Sequence, residues 1–125
     1  MMEAGVLLDL KGDAIYWHAP HGRSVAALPD SVDLWNIIWT NRHNVSGFAH
    51  SHPGYGRTSP SWTDITTFAS IESGLGKRID WWITSGNDMI LCRYSGPDQH
   101  DYNVVPITMC PDWVCHLRDI SGYYR

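Results

Sequence analysis

A chain of 125 residues, 43% hydrophobic and 18% charged, has the length and composition of one domain, residues 1–125, with a core of its own. A formal net charge of −4 with no Lys/Arg cluster argues against nucleic acid as a partner. No apolar run reaches membrane-spanning length, no signal-peptide pattern opens the chain, and the three cysteines form no Cys-x-x-Cys pair; the expectation is a cytoplasmic protein with reduced thiols and no membrane contact.

Residues 4–10 and 14–18, joined by Lys11-Gly12-Asp13, predict a β-hairpin with a tight glycine turn. Ala19-Pro20-His21-Gly22-Arg23 reads as a loop, and His18 and His21, with no carboxylate nearby, are expected to be solvated. Pro29-Asp30-Ser31 opens a helix to about Arg42, with Leu34, Trp35, Ile38 and Trp39 on its apolar face; residues 41–44 end it. Val45 to His50 predicts a buried strand. A second helix over residues 61–73 carries Trp62, Ile65, Phe68, Ala69 and Ile71 as its stripe, and Ser73-Gly74-Leu75-Gly76 stops it. Ile79 to Thr84 and Met89 to Tyr94 form a second hairpin around Ser85-Gly86-Asn87-Asp88. Tyr102 to Thr108 is a last strand, confined to an edge by Pro106; Pro111 to Ile120 has helical spacing through Trp113, Val114 and Leu117, and Gly122 to Arg125 is a tail. The order β-β-α-β-α-β-β-β-α predicts an α/β fold, a mixed β-sheet flanked by helices. Most of the seven tryptophans and six tyrosines belong to the core, while Tyr55 and Trp62 are placed to flank a groove.

Chemistry concentrates in residues 46–64. His50 and His52 are two apart, so a strand continuing through Ser51 turns both imidazoles to the same side. Asp64, in the first turn of the following helix, comes back towards the strand end. Two neutral imidazoles and one carboxylate suit Zn²⁺, and three protein ligands leave a fourth position for water, as in catalytic sites. A plainer reading stands beside this one: Ser61-x-x-Asp64 makes a capping box, or Ser59-Pro60 a cap with proline at the first helical position, and neither needs a metal. Neither explains two histidines directly before a Pro-Gly turn.

His50-Ser51-His52-Pro53-Gly54 followed by Ser61-x-x-Asp64 resembles the signature of the JAMM (MPN-domain) zinc metalloproteases, prokaryotic or phage type. Glu3-Ala4-Gly5-Val6-Leu7-Leu8 resembles the glutamate-bearing strand of that family, one residue shorter between glutamate and glycine. The resemblance spans roughly residues 3–94 and implies a cytidine-deaminase-like sandwich. It also implies Zn²⁺ on His50, His52 and Asp64, Glu3 as general base and Ser61 supporting the tetrahedral intermediate. The implied reaction is hydrolysis of a peptide or isopeptide bond, with a peptide or a ubiquitin-like or sulfur-carrier protein as substrate. Eight residues separate His52 from Ser61, against about seven in the family, in a Gly-rich loop able to absorb one more. The helix usually found before the first strand is expected to be absent or supplied by a partner.

Glu3 has a second reading as a solvated charge, and Glu72, two helical turns beyond Asp64, is out of reach of the same point. A zinc deaminase would need His-x-Glu and Pro-Cys-x-x-Cys, which are missing. A cysteine hydrolase built on Cys92 with His100 or His116 has no evident third orienting group. The alternative of a different class is a JAMM-like domain without activity that serves as a protein-binding scaffold.

Overall fold

The computed structural model describes residues 3–19 and 32–123. β1 (Gly5–Asp9) and β2 (Ala14–His18) form the expected antiparallel hairpin. Its turn is closed by the Asp9 carboxylate, which accepts from the backbone N–H of Lys11 at 2.9 Å and of Asp13 at 3.0 Å, while Gly12 takes a φ of 83°. The other edge of β1 pairs antiparallel with β3 (Val45–Ser51).

A parallel neighbour needs a crossover, and α2 (Trp62–Leu75) supplies it between β3 and β4 (Asp80–Thr84). β5 (Met89–Tyr94) and β6 (Tyr102–Pro106) follow as antiparallel neighbours, giving a six-stranded mixed sheet ordered β2-β1-β3-β4-β5-β6. β6 is an edge strand, as Pro106 requires, and stops there, short of Thr108.

Side-chain alternation divides the core in two. Leu7, Phe48, Trp81 and Ile83 meet Ile38 of α1 (Val32–Thr40) and Phe68 of α2; Val6, Leu8, Ala49 and Met89 meet Trp113, Val114 and Leu117 of α3 (Trp113–Ser121). The sheet is thus covered by α1 and α2 on one face and by α3 on the other. Among the described residues no helix is long and apolar enough to cross a membrane.

Tertiary packing overrides the sequence-based expectation at several places. Trp39 is 43% exposed, with the Arg42 guanidinium 4.3 Å from its ring, and Ile37 packs inward instead. Trp62 is 65% exposed, and Glu72 occupies the inner face of α2. Gly74 does not end α2: the Trp35 indole lies 2.8 Å from where its Cβ would be, so the helix runs on to Leu75, and Gly76, at φ 72°, caps it. His18 is buried, not solvated, because alternation along β2 puts it on the face of Tyr16, which packs against the core under α1 and α2. Burial lowers its pKa against the pull of Asp33. The expected helix start at Pro29-Asp30-Ser31, the loop with His21, and Tyr124 and Arg125 lie outside the described residues.

Candidate metal centre

β3 is buried on both faces, and its alternation sends Phe48 and His50 towards α2 and Ala49 and Ser51 towards α3. The strand ends at Ser51, yet His52 N–H donates to the Thr84 carbonyl at 2.8 Å. That bond prolongs the parallel ladder by one residue and keeps the second imidazole on the side of the first. Their Nε2 atoms lie 3.1 Å apart.

The loop that follows is tied to the β4–β5 hairpin. Thr58 N–H donates to Asp88 Oδ2 at 2.9 Å, Gly86 N–H to the Gly54 carbonyl at 3.0 Å, and Ser85 Oγ to the Gly56 carbonyl at 2.7 Å. Gly54 and Gly56 adopt φ of 99° and 89°, which side-chain-bearing residues rarely do. Thr58 Oγ1 stands 3.1 Å from His52 Nδ1, fixing the ring so that Nε2 faces the site.

Ser61, not Ser59, is the N-cap of α2. Its Oγ accepts from Asp64 N–H at 3.0 Å, and Asp64 Oδ2 accepts from Ser61 N–H at 2.8 Å, a complete capping box with aspartate in the usual place of glutamate. The same carboxylate also reaches the histidines: Oδ1 is 3.2 Å from His50 Nε2 and Oδ2 is 3.0 Å from His52 Nε2. The capping reading is therefore realised, and the cap fixes the rotamer that aims Asp64 at the imidazoles. Ser61 is exposed, and its hydroxyl donates to nothing among the described residues.

Glu3 is 4% exposed, which overturns its reading as a solvated charge, and its Oε1 lies 4.0 Å from His50 Nε2. Its place is set by the residue after it. Ala4 N–H donates to Ser51 Oγ at 2.9 Å, and Ser51 N–H donates to the Ala4 carbonyl at 3.0 Å. Ser51 Oγ is in turn 2.7 Å from Ser121 Oγ, which donates to the Leu117 carbonyl at 2.6 Å. Since Ser121 spends its proton on Leu117, Ser51 donates to Ser121, and α3 holds the segment that carries Glu3. Gly5 completes the fit: a Cβ there would sit 2.3 Å from Phe48 Cζ.

Glu3, His50 and His52 form a cluster that can hold a metal ion, and Asp64 bridges its two imidazoles. An ion bound tetrahedrally at 2.0–2.1 Å separates its ligand atoms by about 3.3–3.4 Å. The two imidazole nitrogens are 3.1 Å apart, close to that edge length, and each has one Asp64 oxygen nearby, Oδ1 at 3.2 Å from His50 and Oδ2 at 3.0 Å from His52, so the three side chains converge on one point.

Electrostatics favour the charged acceptor. Burial alone would raise the Asp64 pKa, but hydrogen bonds from His50 and His52, the charge on His50 and the Ser61 N–H outweigh it and hold the carboxyl well below the usual range. Burial pulls His52 down, and the hydrogen bond and charge of Asp64 with the charge of Glu3 overcome it, raising its pKa. Cys92 has no exposure, and burial, followed by the Asp64 charge, pushes its thiol up to about 12, so it keeps its proton at neutral pH. His100 and His116 pack instead on Trp62 and Trp17, with ring centroids 4.8 and 4.4 Å apart.

Sequence reasoning missed Thr58, Ser51, Ser121 and Asp88 as positioning residues. Ser51 lay inside the motif, but its partner is 70 residues away and carries no local signal. A scan against family models finds no match for the chain, and a comparison with curated proteins finds none either.

Proposed function

We propose that this protein is a JAMM-like zinc metallopeptidase or isopeptidase with a cytidine-deaminase-like sandwich, in which His50, His52 and Asp64 hold Zn²⁺ and Glu3 is the general base. The observation that carries the proposal is the convergence of two imidazole Nε2 atoms and one carboxylate at 3.0–3.2 Å, with a second, buried carboxylate 4.0 Å from His50. Two imidazoles with a carboxylate favour zinc over the oxygen-seeking Mg²⁺ and Ca²⁺. When bound, zinc lowers the pKa of water from about 15.7 to ~7 and polarises a carbonyl.

The chain's own groups do the rest. Glu3 lies 4.0 Å from His50 Nε2, beyond a direct hydrogen bond and beside the proposed ligands; there it takes a proton from the attacking water and returns it to the leaving amine. The uncommitted Ser61 hydroxyl donates to the oxyanion, a contribution of about 3–4 kcal/mol for a well-placed donor. Thr58 accepts from His52 Nδ1–H, fixing the tautomer that leaves Nε2 free to ligate.

The substrate class, a peptide or the C-terminal tail of a ubiquitin-like protein bound as an added strand, follows the motif resemblance. Free Cys92, Cys110 and Cys115 support a reducing compartment, the cytoplasm. An inactive scaffold is the weaker alternative, since burying Glu3 beside two imidazoles carries a desolvation cost that scaffolding does not require.

The test is metal content followed by activity. Protein purified with zinc present is expected to carry one zinc per chain by atomic absorption, and His52→Ala to carry none. Glu3→Gln is expected to keep zinc and lose hydrolysis of a ubiquitin-like fusion; absence of zinc from the parent protein would overturn the proposal.

A further inference from the structure

The α3 face carries a cleft away from the histidine cluster. Asp13 and Trp17 of the β1–β2 hairpin and Asp112, Trp113 and His116 around the start of α3 line a cleft of about 600 Å³, the size of a small-ligand site. It lies at the far end of β1 from Glu3, roughly 20 Å of extended strand away, and on the opposite face of the sheet.

Three features of the lining are unspent. Asp112 stands at the N-cap of α3 but makes no capping hydrogen bond, having taken helical dihedrals (φ −58°, ψ −35°). The Asp13 carboxylate has no partner among the described residues; the neighbouring turn is closed by Asp9. Trp113 is only 8% exposed and packs edge-on against Trp82, yet its indole N–H meets no acceptor among the described residues. Of the described buried side-chain nitrogens and oxygens, His18 Nε2 alone is both sealed from solvent and unpartnered. The Trp113 N–H is therefore not sealed from solvent, and the residue lines the cleft.

We propose that this cleft binds a basic peptide side chain, with the guanidinium or ammonium group between Asp13 and Asp112, its stem against Trp17, and the peptide carbonyl on the Trp113 N–H. Each part answers an unspent group: two carboxylates call for a cation, indole surface favours a cation and its alkyl stem, and one donor calls for a carbonyl acceptor. The formal net charge of −4 has the complementary sign for a basic partner. The cleft would thus dock a basic segment of a partner protein without touching the proposed reaction centre.

The probe is acetyl-Gly-Arg-Gly-amide titrated into ¹⁵N-labelled protein, read on the Trp113 indole N–H resonance assigned with Trp113→Phe. A saturable shift is expected. The isosteric citrulline peptide, and the Asp13→Asn/Asp112→Asn double variant with the arginine peptide, are each expected to bind at least roughly tenfold more weakly. His52→Ala is expected to bind like the parent, which separates this site from the metal proposal. Equal binding of the citrulline peptide, undiminished binding by the double variant, or no saturable shift would each overturn it.

Discussion

α2 carries an acidic residue near each end, and the two have opposite surroundings. Glu72, in the last turn, is 2% exposed and receives Arg78 Nη1 at 3.1 Å, Ile79 N–H at 3.0 Å, Trp81 Nε1 at 3.1 Å and the Tyr102 hydroxyl. All four are donors, so the carboxylate is satisfied and closes the network. Asp64, in the first turn, receives one backbone N–H and the hydrogen bonds of two imidazoles whose nitrogens are themselves potential ligands. An acid whose donors cannot bind a cation is a structural element; one whose donors are imidazoles can share a cation with them once their protons leave.

The sharpest way to break this contrast is to neutralise each acid in turn. Glu72→Gln turns an amide NH₂ towards buried donors and is expected to cost about 3 kcal/mol in urea unfolding, with zinc content unchanged in the folded protein. Asp64→Asn keeps an oxygen for the Ser61 cap, so in chelator-treated protein it is expected to cost about 1 kcal/mol or less, while bound zinc is lost. Equal destabilisation by the two would erase the distinction. Tyr102 sharpens it further: burial first, then its hydrogen bond to Glu72 and the charge of Glu72, raise its pKa above the ordinary 10.0. A pKa raised by folding gives stability that is complete below pH 10.0 and fades as pH climbs above it. Alkaline unfolding of the parent should therefore steepen above pH 10.0, and Tyr102→Phe should flatten that loss.

What could be read from the chain alone follows the range of the interactions. The hairpin, the helix α2 and the shared side of His50 and His52 depend on neighbours a few residues apart, and alternation or capping chemistry specifies them. The surroundings of Glu72 do not: Tyr102 is 30 residues away, and an acid on a helix reads as solvated until β4 and β6 are laid beside it. Glu3 was ambiguous for the same reason. Its burial requires β1 to lie between β2 and β3, an order that the succession of strands leaves open. The plainer reading of Ser61-x-x-Asp64 was correct, and the contact of the same carboxylate with both imidazoles is what a cap alone does not predict.

A smaller effect should come from the hydroxyl chain that holds Glu3. Ser51→Ala removes the acceptor of Ala4 N–H and the donor to Ser121, at an expected cost of about 1–2 kcal/mol. If α3 positions the base, this variant keeps its zinc and loses turnover beyond what its residual unfolding explains. Zinc lost in parallel with activity would instead mean that Ser51 only holds the strand together.

The smallest expected change in stability, and the most selective, is at Thr58. Thr58→Val keeps the branched shape and the backbone N–H to Asp88 but removes the oxygen that faces His52 Nδ1. The Thr58 region is only partly buried, so unfolding should move by about 0.5 kcal/mol or less. Groups that hydrogen-bond the free nitrogen of a metal-bound histidine typically govern affinity by roughly 10–100-fold, and competition with a chelator should show zinc weakened by that order. Weakened zinc with unchanged unfolding would show that the loop between His52 and Ser61 orients a ligand; unchanged zinc would reduce Thr58 to a loop tether and place the orientation of His52 on the Thr84 backbone alone.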